Sequence, residues 1–335
     1  MKLKEILELK YGKSQKKITS NNGRYPIIGT GGILGYSNVF LYNKPSVIIG
    51  RKGSINNKMY IDFPFWVVDT TFYTIIDTKK VIPRWFYYYI STIDLNKYNE
   101  GTTIPSLTIK TLYELDIPYF PLEEQQHIVD IIGSIDDKIE NNNKIIKKLE
   151  EFGIKNYFKL FNKLEDILLY SKFERGKEAS SKNYSEIKQK NFINFIRVKD
   201  LNVLTNTYIS NSLKLPLVEK KDTIIALDGT VGRTNFGLSG AYSSGLYKVV
   251  PLNEKYRGII YFSLKDNFNQ NIIQYYATGT TILHAGKSIN HLKIKKHKEN
   301  DLILFNKLYE FMLLLKQENI KLNNLKQLYL KKFFG

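Results

Sequence analysis

GTTIPSLTIKTLYELDIPYFPLEEQQHIVDII (residues 101–132) opens with four residues that recur as GTTI at positions 279–282. The similarity extends past the tetrapeptide. Gly101, Leu112, Leu115 and Ile117 find counterparts in Gly279, Ile289, Leu292 and Ile294, at offsets of 178 and then 177. Upstream, VIIGRKGSI (residues 47–55) resembles TIIALDGTV (residues 223–231) at an offset of 176, each an apolar strand running into a glycine turn. LKEIL (residues 3–7) matches LEDIL (residues 164–168) at an offset of 161, so the second copy carries about 15 extra residues in its first part. The chain is therefore one unit written twice.

Behind each GTTI segment lies a long amphipathic stretch. In the first, apolar residues fall at Ile128, Ile132, Ile135, Ile139, Ile146 and Leu149, in the alternating steps of four and three that mark a coiled-coil seam. Adding 176 reaches Leu304, Leu308, Phe311, Leu315, Leu322 and Leu325, all apolar, while the one polar seam position, Asn142, falls on Glu318. Pro118 and Pro121 stiffen the approach to the first stretch, and Glu123 and Glu124 set negative charge against its positive end, so a helix is expected over residues 122–158. Wholly helical, it would extend about 55 Å.

Composition bounds the function. With 335 residues, 43% of them hydrophobic, the chain can bury two cores. The lack of cysteine excludes disulfides and thiolate metal sites and fits the cytoplasm. No apolar run approaches the roughly 20 residues of a membrane helix, and MKLKEILELKYGK lacks the apolar core of a signal peptide. Net charge is +18, divided as +7 in residues 1–121, −3 in 122–158, +11 in 159–300 and +3 in 301–335. A polyanion is thus expected on the globular parts, leaving the helices as spacers or protein-binding surfaces.

The segment GTTIPSLTIKTLYELDIPYFPLEEQQHIVDIIGSIDDKIENNNKIIKKLEEF resembles the central region of the DNA-specificity subunits of type I restriction-modification systems, where a Gly-Ser/Thr-Thr segment leads through I-P-x-x-P-L-x-E-Q into a long helix. The resemblance implies a mixed α/β (α+β) fold: two target-recognition domains, residues 1–121 and 159–300, separated by two antiparallel coiled-coil helices, 122–158 and 301–335, in a pseudo-twofold repeat. It further implies double-stranded DNA as ligand, read as a bipartite sequence, and methyltransferase subunits, two of them, with restriction and motor subunits as partners. In the second copy KHKEND (residues 296–301) replaces PLEEQ, without prolines or acidic pair. Matching the helices end to end sets Ile139 near Glu318 and Asn142 near Leu315.

Chemistry of its own is not evident, and no catalytic residue, cofactor or metal is expected. GTGGILG (residues 29–35) fits neither common phosphate-loop pattern and reads as a turn between strands. Asp166 with Glu186-x-Lys188 mimics a nuclease carboxylate pair only at chance level. His127, His284, His291 and His297 lack metal-ligand spacing. DNA reading calls for Arg, Lys, Asn and small hydroxyls on loops. In the first unit these are Arg51, Lys52, Asn56, Asn57 and Lys58; in the second, Thr230, Arg233, Thr234 and Asn235 follow TIIALDG. Thr102, Thr103, Thr280 and Thr281 stand alike in both copies and suit phosphate contacts. Tyr87, Tyr88, Tyr89, Tyr275 and Tyr276 read as core and rim aromatics. The competing functions are a stand-alone nuclease or methyltransferase, which the missing motifs disfavour, and a coiled-coil adaptor, which the charged globular parts disfavour.

Overall fold

A computed structural model describes residues 1–161, 163–201 and 207–335. The chain divides into two compact units: Met1–Lys138 with Leu322–Gly335, and Ile139–Lys321.

The first unit contains β1 (Leu7–Tyr11), β2 (Tyr25–Gly29), β3 (Gly32–Ser37), β4 (Ser46–Gly50), β5 (Lys58–Ile61), β6 (Trp66–Val67), β7 (Thr71–Ile76), α1 (Pro83–Thr92), α2 (Ile109–Tyr113) and the start of α3 (Leu122–Phe158). One antiparallel sheet has the order β1-β7-β4-β5 and a second the order β3-β2-β6. Strand β4 explains its apolar sequence, because successive side chains point to opposite faces. Val47 and Ile49 join a core with Trp85 and Phe86 of α1, while Ile48 joins another with Phe65 and Tyr73. GTGGILG is the β2–β3 hairpin, as its glycines led one to expect.

The second unit contains β8 (Leu164–Asp166), β9 (Ser171–Arg175), β10 (Phe192–Ile196), β11 (Tyr208–Ser210), β12 (Leu217–Val218), β13 (Thr223–Ala226), β14 (Thr234–Asn235), β15 (Gly240–Tyr242), β16 (Leu246–Pro251), α4 (Arg257–Lys265), α5 (Asn267–Tyr275), β17 (Lys293–Lys295) and most of α6 (Glu299–Phe334). Its antiparallel sheet β9-β16-β13-β14 repeats the order β1-β7-β4-β5. Strand β13 divides its side chains as β4 does, Ile225 into one core and Ile224 with Ala226 into another. The second sheet also recurs: β10 pairs antiparallel with β11 and parallel with β15, as β2 does with β3 and β6.

Gln125 of the PLEEQ junction is fully buried. Its Oε1 accepts from Ile82 N at 2.8 Å, and its Nε2 donates to Lys80 O at 3.0 Å and Phe120 O at 2.8 Å, so one carboxamide fixes where α3 leaves the first unit's core. The second junction uses other groups. Asp301 accepts from Lys298 N at 2.7 Å, the acidic half of a capping box, and Lys295 donates to Phe158 O at 2.8 Å, closing an orphan carbonyl at the end of α3.

Within the second unit α3 and α6 run antiparallel: the ring of Tyr157 lies 6.0 Å from that of Phe305, and Asn142 Nδ2 donates to Asn319 Oδ1 at 2.9 Å. Within the first unit, Lys326 Nζ meets Asp136 at 2.6 Å and Tyr88 OH donates to the same carboxylate at 2.9 Å. Ile128, Ile132 and Ile135 are buried, and Ile139, Ile146 and Leu149 are half-buried. On α6 the expected seam requires correction. Phe311 and Leu325 are 47% and 41% exposed, whereas Met312 is fully buried and Lys326 half-buried beside them. The inward line runs Phe305, Leu308, Met312, Leu315, Asn319, Leu322, so Leu304, which is half-buried, also gives way to its neighbour. One residue turns a side chain by about 100° around the helix, which is enough to exchange the inner and outer faces. The polar partners are corrected with it: Asn142 meets Asn319 and Glu318, not Leu315.

Candidate nucleic-acid interface

The two GTTI segments occupy equivalent places. A Cβ on Gly101 would stand 1.9 Å from Ile104 O, and one on Gly279 would stand 2.1 Å from Ile282 O, so both turns close too tightly for any other residue. Each is stitched to the glycine turn of its own unit by the same pair of hydrogen bonds. In the first unit Gly53 N donates to Pro105 O at 2.8 Å and Leu107 N to Arg51 O at 2.9 Å; in the second, Gly229 N donates to Leu283 O at 2.8 Å and Ala285 N to Leu227 O at 2.7 Å. Gly53 and Gly229 both take positive φ, 79° and 75°. The loops singled out for DNA therefore form one edge per unit.

The residues on these edges fall into two groups. Lys52, Thr102, Thr103, Thr230, Thr280 and Thr281 are exposed, and Arg233 is half-buried with Nη1 donating to Thr230 Oγ1 at 3.1 Å. Arg51 is held: Nη1 donates to Asp69 O at 2.7 Å and the guanidinium sits 5.0 Å over the Tyr11 ring, presenting a fixed cation. Asn57 is exposed, and its Nδ2 ties the turn to Thr30 O of the β2–β3 hairpin at 2.8 Å.

Four candidates make hydrogen bonds within their own unit. Asn56 Oδ1 accepts from Leu95 N at 2.9 Å and from Lys58 Nζ at 2.7 Å, and Lys58 also donates to Ile93 O at 2.6 Å. Burial pushes the Lys58 ammonium down to about 8. Thr234 is 8% exposed and donates to Gly232 O at 3.1 Å. Asn235 accepts from Phe236 N at 2.9 Å, donates to Leu201 O and receives Lys316 Nζ, whose own ammonium burial pushes down to about 8.

The edges differ at one bridge. Lys52 pairs with Ser106 in the first unit, and Asp228 pairs with His284 at the corresponding place in the second. Asp228 is 9% exposed; its Oδ1 lies 2.8 Å from His284 Nδ1 and its Oδ2 accepts from Arg175 Nη2 at 2.9 Å. Arg175 and Asp228 were not among the expected site residues, and His284 was expected only to be a surface or core histidine. The signal was present in the offsets, which set Lys52 on Asp228 and Ser106 on His284. Of the other motifs, Asp166 is bonded to Lys293, and His291 stacks on Tyr276 at 4.3 Å. Among the described residues no group of three or more His, Cys, Asp or Glu could hold a metal, and no helix is long and apolar enough to cross a membrane.

Residues 1–151 match the family described as the type I restriction modification DNA specificity domain. The matched residues are 151 of the chain's 335. The chain is 36% identical over 94 residues to the type I restriction enzyme MjaIX specificity subunit of Methanocaldococcus jannaschii, a match covering 26% of this chain and 22% of that protein. The fold is shared with the S subunit of a type I restriction-modification system from M. genitalium, with a TM-score of 0.60 at 19% identity, covering 100% of this chain and 95% of that one. The match ends within α3.

Proposed function

We propose that the chain is the DNA-specificity subunit of a type I restriction-modification system. It reads a bipartite duplex sequence, one half with each unit, and performs no catalysis. The observation that carries this is the pair of identically hydrogen-bonded loop edges, Arg51–Gly53 with Pro105–Leu107 and Leu227–Gly229 with Leu283–Ala285, on parts of the chain with net charges of +7 and +11. Two copies of one edge suit two half-sites, and their unlike side chains suit two different sequences. Residues 1–121 and 159–300 act as recognition domains, and 122–158 and 301–335 as the helices that set their spacing. The partners are two methyltransferase subunits and, through them, restriction and motor subunits in the cytoplasm.

The test is to sequence methylated bases in cells with and without this gene. A bipartite motif whose methylation disappears with the gene is the expected result. Methylation that is unchanged by the deletion, in cells that carry the methyltransferase subunits, contradicts the assignment.

A further inference from the structure

We propose that Arg175 and His284, both oriented by the Asp228 carboxylate, are the base-reading pair of the second unit. This deepens the proposed function and rests on it. Arg175 is held on one side only: Nε donates to Ser244 O at 2.9 Å, Nη2 donates to Asp228 Oδ2 at 2.9 Å, and the guanidinium lies 5.7 Å over the Tyr247 ring. These bonds use the edge formed by Nε and Nη2. They leave the end-on edge, two parallel N–H bonds on Nη1 and Nη2, on a side chain that is 54% exposed. That edge matches O6 and N7 of guanine, the commonest specific major-groove contact.

His284 is fixed by the same carboxylate and by its backbone. Nδ1 faces Asp228 Oδ1 at 2.8 Å, His284 N donates to Thr278 O at 2.7 Å, and the ring side chain is 59% exposed. With Nδ1 on the carboxylate, Nε2 is the atom left for a ligand. Holding both side chains in advance removes ordering entropy that a flexible arginine would lose on binding. A phosphate-binding role is less well served, since a buried carboxylate beside the guanidinium weakens its attraction for a polyanion. Asp228 is accordingly a positioning residue. The first unit has Lys52 and Ser106 where the second has Asp228 and His284, and takes its held cation from Arg51 over Tyr11, so the two half-sites are read by different chemistry.

The test is selection of duplexes from a random-sequence library by the full-length chain at low ionic strength, repeated with Arg175→Lys, His284→Ala and Asp228→Asn. Wild type should enrich two sequence clusters. Each variant should lose enrichment at one or two adjacent base pairs of one and the same cluster, leaving the other intact, and bind the selected duplex about 5- to 150-fold more weakly. Asp228→Asn is the sharpest variant, because charge alone predicts tighter binding to every duplex, whereas positioning predicts a loss confined to the selected one. Arg175→Lys keeps the charge and tests the fork alone if Asp228→Asn lowers the thermal midpoint. Retention of both clusters by all three variants, or equal loss of both, overturns the pair. If wild type enriches no cluster, the DNA-reading function itself fails, a result distinguishable from failure of the pair.

Discussion

Asn142 and Asn319 face each other across the helices of the second unit, Asn142 Nδ2 donating to Asn319 Oδ1 at 2.9 Å, and Asn319 Nδ2 donating in turn to Asn143 Oδ1 at 2.9 Å. Asn142 Nδ2 also donates to Glu318 Oε2 at 2.7 Å, while Asn142 Oδ1 is buried without a hydrogen-bond partner. A polar pair at a seam costs stability and fixes register, since any slip sets each amide against hydrocarbon.

Asn142→Leu alone is expected to lower unfolding free energy by about 1–3 kcal/mol, because the buried Asn319 Oδ1 loses the Asn142 donor. Asn142→Leu with Asn319→Leu should recover most of that loss. Urea titration of the two single variants and the double gives the coupling directly; additive losses would show that the two amides act independently.

Met312 and Phe311 separate the inner face of α6 from the outer. Met312→Ala should cost about 2–5 kcal/mol through the cavity it leaves, whereas Phe311→Ala, at an exposed site, should stay within about 0.5 kcal/mol. Thermal midpoints of the two variants check this, and a larger loss at Phe311 would restore the seam as first read.

That seam marks where sequence stops being decisive. The spacing of Ile128, Ile132, Ile135 and Ile139 sets the register of α3, and Ile135 and Ile139 each stand between polar neighbours. In LILFNKLYEFMLLLK (residues 302–316) apolar residues stand side by side, so Phe305 and Met312 compete with Leu304 and Phe311 for the inner face and packing chooses between them. The repeat was legible for the same reason that its loops align, namely glycines at turns that admit nothing else. The partners of Asn56 and Lys58, Leu95 N and Ile93 O, lie in a distant segment that no local pattern announces. The Arg175, Asp228 and His284 cluster was missed because it assembles from three separated segments.

Burial of Lys316 makes stability depend on pH. Its folded ammonium titrates at about 8 against 10.5 for the free side chain, so the folded state binds fewer protons between those values. The penalty is full below about 8 and is relieved as pH rises toward 10.5. Stability should therefore climb from pH 8 to 9.5, short of the range above 10 in which Tyr157 and Tyr309, held up by burial, begin to oppose it. Lys316→Met should reduce that climb in denaturation at several pH values; an unchanged slope would assign the effect elsewhere.

Lys52 is exposed on the first unit's edge and suits a phosphate contact. Lys52→Ala should weaken binding to selected and scrambled duplexes by similar factors and reduce the slope of log K against log salt by about 0.9. Arg51→Ala, which removes the held cation, should instead affect the selected duplex by about 1–3 kcal/mol and the scrambled one little. Salt titrations on both duplexes distinguish them, and equal losses on both duplexes for Arg51→Ala would make it a backbone contact.

The central claim is that two units of one design each read half of a DNA sequence. Its most direct measurement is the methylation motif of cells in which residues 159–300 are exchanged for the corresponding segment of a relative with a different motif. A motif that changes in one half and keeps the other is the predicted result. A motif altered in both halves, or in neither, would contradict independent reading by the two units.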